Sequence, residues 1–200
     1  MSEKLPLVLG SGSVFRRAQL ERLGIAFQTA SPDFDETPLA GEGARETALR
    51  LAEGKARSLV GRFPAALVIG ADQVAWCGGR QLGKPMNVAA AQQMLAALSG
   101  KVIEFYSAIV LLNTATGRVQ RHADKTVVTM RELGEGDIRR YLEREPDAVY
   151  CAGAAKSEGL GAALLRRIDS EDPNALIGLP LFWLVSCLQQ LGFDVLTEGK

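Results

Sequence analysis

Short, wholly apolar runs alternate along this chain with stretches whose apolar residues recur at helical spacing, and no other feature restricts the fold as much. Leu5–Leu9 and Leu67–Ala71 read as buried strands. Val14, Ala18, Leu20 and Leu23 form one helical stripe, and Ala48, Leu49, Ala52, Ala56, Leu59 and Val60 another. Ile25–Ala30 reads as a further strand, Val88–Leu98 as an Ala-rich helix closed by Gly100, Glu135–Arg144 as a charged helix, and 178–191 as the last helix. Two hairpins break the alternation: Val102–Leu112 with Arg118–Thr129 across 113–117, and a tight one turning at Cys77-Gly78-Gly79-Arg80. A short strand is expected near Ala163–Ile168. The pattern predicts an α/β fold: one mixed, twisted sheet with flanking helices, residues 1–200 as a single domain, with two lobes around a cleft.

Composition narrows the function by exclusion. The 200 residues carry 23 Lys plus Arg against 23 Asp plus Glu, so bulk electrostatics recommends neither a nucleic-acid polymer nor a membrane surface as partner. The longest apolar run, Ala175–Leu188, is interrupted by Gly178 and Pro180 and falls short of the ~20 residues of a membrane span. The apolar stretch near the N-terminus is too short for the core of a secretory signal, which predicts a cytoplasmic protein. Cys77, Cys151 and Cys187 are far apart and contain no CxxC pair, so they are expected to be buried thiols rather than bridges or zinc ligands. His122 is the only imidazole and sits among polar residues, where it reads as an ordinary surface side chain. Chemistry is left to carboxylates, Lys, Arg, Ser and a metal ion.

Four places could carry it. Gly10-Ser11-Gly12-Ser13, between a strand and a helix, offers backbone N–H groups and two hydroxyls to an anion, or Ser13 simply caps the helix. Arg16 and Arg17 tilt the balance, because cations at the positive end of a helix dipole are unfavourable unless an anion sits there. Lys55 lies at the edge of its helix's apolar stripe, as a snorkelling stem or as a phosphate-binding ammonium, and Lys84 sits in the constrained turn Gly83-Lys84-Pro85. Asp72 follows the strand Leu67–Ala71 and is expected at its carboxyl end, where it either caps a turn, holds a divalent cation or takes a proton from water. Glu36, in the acidic loop 31–43, could supply a second oxygen to the same ion. Glu158, in Lys156-Ser157-Glu158-Gly159-Leu160-Gly161, could accept from the N–H edge of a base.

Ser11-x-Ser13-x-x-Arg16-Arg17, Asp35-Glu36-Thr37-Pro38, 52–55, Gly70-Ala71-Asp72-Gln73, Gly83-Lys84-Pro85 and Gly178-Leu179-Pro180-Leu181 occur in one order. Together they resemble the Maf family of nucleoside triphosphate pyrophosphatases from Leu5 to Leu191. Asp72-Gln73, Cys151-Ala152-Gly153, Lys156–Gly159 and Asp172-Pro173-Asn174 are similar to the branch that hydrolyses 7-methyl-GTP. The resemblance implies a fold akin to the inosine triphosphate pyrophosphatases, dependence on a divalent metal (Mg or Mn) and homodimers. It implies Asp72 as catalytic acid/base and Phe15, Gln73 and Glu158 as selectivity positions, Phe15 standing where that branch often has Trp. Combined with the residues' own chemistry, it gives a catalytic set of Asp72, Lys55, Lys84 and Arg16, substrate contacts from Ser11, Ser13, Phe15, Arg17, Gln73 and Glu158, and a metal on Glu36 and Asp72. The expected reaction yields a nucleoside monophosphate and pyrophosphate. The alternatives are a dTTP/UTP-type pyrophosphatase of the same family, against which Gln73 and Glu158 argue, and a nucleotide-binding regulator of cell division.

Overall fold

The apolar N-terminal run forms β1 (Leu7–Gly10), buried along its whole length. It lies parallel to β2 (Gln28–Ala30) on one side and to β3 (Leu67–Cys77) on the other, as strands joined by helical crossovers must. The crossovers are α1 (Val14–Glu21) and α2 (Ala44–Arg57). The computed structural model describes residues 4–198; Met1–Glu3, part of the segment tested above for a secretory signal, and Gly199–Lys200 lie outside the described residues.

β3 turns back into β4 (Arg80–Leu82) through Gly78 and Gly79, both at positive φ (56° and 78°), the backbone that a two-residue hairpin loop matched to strand twist demands. Asn87 caps α3 (Val88–Leu98), its side-chain oxygen accepting the Ala90 N–H at 2.8 Å, and Gly100 at φ +68° ends it. β5 (Val102–Asn113) and β6 (Val119–Met130) make the long hairpin, and β7 (Leu165–Asp169) pairs antiparallel with β6. The order across the seven-stranded sheet is β2-β1-β3-β5-β6-β7, with β4 on β3. Parallel and antiparallel pairs share one sheet, so the mixed α/β architecture read from the sequence holds. The remaining elements are α4 (Glu135–Arg144), four short 3-10 turns, α5 (Leu181–Gln190) and α6 (Val195–Glu198). The last of these has no counterpart in the sequence reading, and α5 begins three residues later than its periodicity suggested, because Gly178 (φ +137°) and Pro180 precede it.

The chain divides into two compact units, one of Met1–Gln73, Ser107–Asp124 and Asp172–Lys200, the other of Val74–Tyr106 and Lys125–Glu171. The first has a core in which Leu7, Leu9, Ile69 and Ala71 of the sheet meet Leu20 of α1 and Leu184 and Leu188 of α5. Removing such a side chain from water is worth about 2 kcal/mol each. The second buries Leu95, Leu98, Ile103, Met130, Ile138 and Tyr141, with α3 against α4. Among the described residues no helix is long and apolar enough to cross a membrane. All three cysteines are free, but only Cys187 is fully buried; Cys77 and Cys151 are half-buried.

Candidate active site

Side chains alternate across a strand, so Gly70 and Asp72 share the face of β3 that meets α2. Gly70 permits a close approach: a Cβ there would run into the Ala52 carbonyl oxygen and come within 2.8 Å of Ala56 Cβ. Lys55 lies between those two residues on α2, and the close packing seats its ammonium against the sheet. Nζ stands 2.5 Å from Asp72 Oδ1 and 2.9 Å from Glu36 Oε2. Lys55 and Asp72 are each 7% exposed, so the ammonium does not snorkel into water; it bridges two carboxylates. Asp72 departs from expectation in one respect. β3 continues through Val74-Ala75-Trp76-Cys77, residues that favour a pleated, half-buried surface, so Asp72 is an interior strand residue rather than a terminal one.

Glu36 reaches Lys55 because its loop is fastened to α2. The Phe34 ring occupies the space that a Cβ at Gly54 would need. Asp35 Oδ1 accepts both the N–H (2.9 Å) and the hydroxyl (2.6 Å) of Thr37, which holds its carboxyl below the usual range. Further along, Arg50 donates to Glu42 from both Nε and Nη2, in three hydrogen bonds, and from Nη2 to the Thr37 carbonyl, so Glu42 titrates lower and Arg50 higher than usual. The sequence reading missed Phe34 and Gly54. An isolated aromatic inside an otherwise acidic loop was the available signal.

Arg16 enters the same cluster from α1. Pairing of β1 with β3 stops at Gly10 and Gly70, leaving the next carbonyl of β3 without a partner on that side. The Arg16 guanidinium takes that role, donating from Nη1 to Ala71 O (3.0 Å) and from Nε to Gly178 O (3.2 Å). Burial pulls its pKa down, the negative charges of Asp72 and Glu36 push it back up, and an arginine stays protonated throughout. Gly178 is required here, since its φ of +137° disfavours any side chain and a Cβ would lie 3.1 Å from Arg16 Cγ and Nε.

Ser13 is the cap of α1, its hydroxyl oxygen accepting the Arg16 N–H at 3.4 Å, while Ser11 Oγ accepts the Ser13 N–H at 3.1 Å. Among the described residues neither hydroxyl donates to a protein acceptor, so both hydrogens can go to an anion. Phe15 is half-buried in the first turn of α1. Arg17 lies about 100° further round the helix, exposed and paired with Glu21 at 2.8 Å, so it is not gathered with Arg16. Gln73 points to the opposite face of β3 from Asp72. Its Nε2 donates to Ser107 Oγ (2.8 Å), Leu176 O (2.9 Å) and Ala175 O (3.1 Å). His122 stacks on Trp183 with ring centres 5.5 Å apart and lies 3.1 Å from Asp124, half-buried rather than freely exposed.

Lys84 and Glu158 belong to the second unit and are both exposed. In the same unit the Cys151 thiol is pushed up to about 11, by burial first and then by the negative charge of Glu158, while the positive charges of Lys156 and Lys84 oppose the rise. The Lys156–Gly161 loop is fastened by Glu145, which accepts from Lys156 Nζ at 2.8 Å and from the Leu160 N–H at 3.0 Å. Tyr141 Oη accepts the Lys156 N–H at 3.0 Å.

Residues 6–191 match the family described as Maf-like protein. This chain belongs to the Maf family. Among Maf-family relatives, a protein of Neisseria gonorrhoeae named 7-methyl-GTP pyrophosphatase is 74% identical over 98% of this chain and 100% of its own length. A protein of the same name from Chromobacterium violaceum is 53% identical over 95% of this chain and 98% of its own length. A solved structure, the Staphylococcus aureus Ham1 protein, superposes with a TM-score of 0.45 at 14% identity, covering 64% of this chain and 72% of that one. Within this Maf chain, the family motifs quoted above therefore have a geometry: Arg16, Lys55, Asp72 and Glu36 are brought together, and Ser11 and Ser13 stand at the start of the helix that carries Arg16.

Proposed function

We propose that this protein is a nucleoside triphosphate pyrophosphatase whose preferred substrate is 7-methyl-GTP, cleaved to 7-methyl-GMP and pyrophosphate. The observation that carries the reading is the Lys55 ammonium held between Asp72 and Glu36 beside Arg16, in a chain whose relatives bear that enzyme's name. The four side chains sum to no net charge, so a triphosphate arriving there needs further cations. A divalent ion is the natural source. Glu36 and Asp72 would hold it, for their oxygens already share one cation, and hard carboxylate oxygens suit Mg²⁺ or Mn²⁺. Among the described residues no cluster of three or more His, Cys, Asp or Glu side chains converges, so phosphate oxygens and water would complete the shell. When bound, the ion would supply Lewis-acid neutralisation of the phosphate oxygens.

The chain's own groups divide the remaining work. Arg16 and Lys55 neutralise charge on the phosphates, and the Ser11 and Ser13 hydroxyls donate to phosphate oxygens at the N-terminus of α1. Lys55 fixes Asp72 through Oδ1 and leaves Oδ2 to accept the proton of the attacking water. The water oxygen bonds to the α-phosphorus as the link to the β-phosphate breaks, and the electron pair leaves with pyrophosphate. Phe15, half-buried in the first turn of α1, is assigned to the cationic methylated base, which an aromatic face favours over neutral guanine by ~0.5–2 kcal/mol.

Product analysis on 7-methyl-GTP, GTP, dTTP and UTP with Mg²⁺ or Mn²⁺ tests bond, base and metal together. Pyrophosphate with 7-methyl-GMP as the fastest products is expected. A preference for UTP or dTTP, or release of single phosphate, overturns the reading.

A further inference from the structure

Gln73 sits beside Asp72 in the chain, yet its side chain leaves on the other face of β3 and is fully engaged with protein at its nitrogen. Nε2 has two hydrogens and three oxygens around it: Ser107 Oγ, Leu176 O and Ala175 O. Ser107 is wholly buried on β5, and its own hydroxyl hydrogen goes to Ala175 O at 2.6 Å. The amide therefore has one acceptable orientation, because the reverse would set its oxygen against two carbonyl oxygens.

Those carbonyls belong to the turn 174–178, and the turn carries the oxygen that holds Arg16. Gly178 N–H donates back to Ala175 O at 3.0 Å and to Asn174 O at 3.3 Å, while Gly178 O accepts Arg16 Nε at 3.2 Å. Gln19, buried on α1, donates to Asn174 O at 2.8 Å and ties the same turn to the helix that bears Arg16. A chain of hydrogen bonds thus runs from Ser107 and Gln73 through the turn to the guanidinium. Gly178, at φ +137°, is its last backbone link.

We propose that Ser107 and Gln73 are positioning residues for Arg16: by holding the turn 174–178 from the far face of β3, they aim the guanidinium at the phosphate chain. The proposal rests on the pyrophosphatase reading and adds to it. It gives Gln73 a duty toward phosphate that is independent of any contact with the base. Ser107, with no exposed surface, acts only through its neighbours.

Inorganic tripolyphosphate, which has no base, separates the two duties. Its Kd is measured by calorimetry in the presence of Mg²⁺ on the unaltered chain, on Ser107→Ala and on Gln73→Met, each also in an Arg16→Lys background where the Nε bond to Gly178 is gone. Ser107→Ala and Gln73→Met are expected to weaken tripolyphosphate binding about five- to tenfold in the otherwise unaltered chain, and less than about twofold when Arg16 is Lys. Unchanged tripolyphosphate affinity with weakened 7-methyl-GTP binding overturns the proposal, since the pair would then serve the base. An equal loss in both backgrounds also overturns it, because the effect would not pass through Arg16. If Ser107→Ala does not fold, as judged by circular dichroism, Gln73→Met decides alone. Should the unaltered protein itself fail to bind tripolyphosphate, the pyrophosphatase reading falls first and takes this one with it.

Discussion

At the scale of single residues, the chemistry depends on which groups share Lys55. Asp72 is nearly buried, so its charge needs the ammonium 2.5 Å away, and the ammonium in turn needs Asp72 and Glu36. Asp72→Asn keeps an oxygen for Lys55 to donate to but removes the proton acceptor. It is expected to fold, to bind 7-methyl-GTP, and to lose about 10²- to 10⁴-fold in kcat. A kcat within about twofold of the unaltered protein, against a contribution of that size from general-base catalysis, would remove Asp72 from the reaction. Asp72 after an apolar strand, Lys55 at the edge of an apolar stripe and Arg16 at the positive end of a helix are charges in unfavourable settings that can be read without coordinates, whereas Glu36 is one of several carboxylates in an acidic loop and took its role from the family resemblance. Gly178 and Ser107 were not legible in the same way. What matters about Gly178 is a φ of +137°, and what matters about Ser107 is burial opposite a turn more than sixty residues away, and neither is written in local composition.

Elements set how close those residues come. The stripe of α2 was plain in the sequence and placed Lys55 at its edge; what it could not give is the distance from helix to strand, which Gly70 determines. A methyl group at Gly70 meets the α2 backbone rather than a flexible side-chain tip, so the helix must move away. Gly70→Ala is expected to cost about 1–3 kcal/mol through overpacking, a fall of several degrees in Tm. It is also expected to lower kcat/KM by about 10²-fold, since displacing a phosphate-binding or base-fixing group by ~1 Å costs that much. Gly61→Ala is the matching control, for a Cβ there has open space and stability should stay within about 0.5 kcal/mol. Equal melting temperatures and equal rates for the two variants would show that the approach at Gly70 positions nothing. The continuation of β3 past Asp72 escaped the sequence reading for a related reason. Polar Asp72-Gln73 interrupts the apolar run that the hairpin at Cys77–Arg80 belongs to, and pairing with β4 carries the strand on to Cys77.

Stability against pH belongs to the whole molecule, and two groups of the second unit give it opposite flanks. The Tyr141 phenol is buried, and burial pushes its pKa up to about 12 from an ordinary 10.0. Folding therefore favours the protonated form: the stability this group contributes is complete below pH 10 and drains away as pH rises from there through about 12. Glu145 works in the other sense, held below its ordinary 4.5 by Lys156 and the Leu160 N–H, so its contribution is present above that pH and is lost as pH falls below it. Tyr141→Phe isolates the alkaline flank. At neutral pH the variant should be less stable by about 1 kcal/mol, because the Lys156 N–H loses its acceptor. Between pH 10 and 12 the gap should close, since only the native protein has a buried phenol to ionise there. Thermal melts across that range decide the matter: curves that converge support a phenol held neutral by the fold, whereas curves that run parallel to pH 12 mean that Tyr141 titrates alike in the folded and unfolded chain.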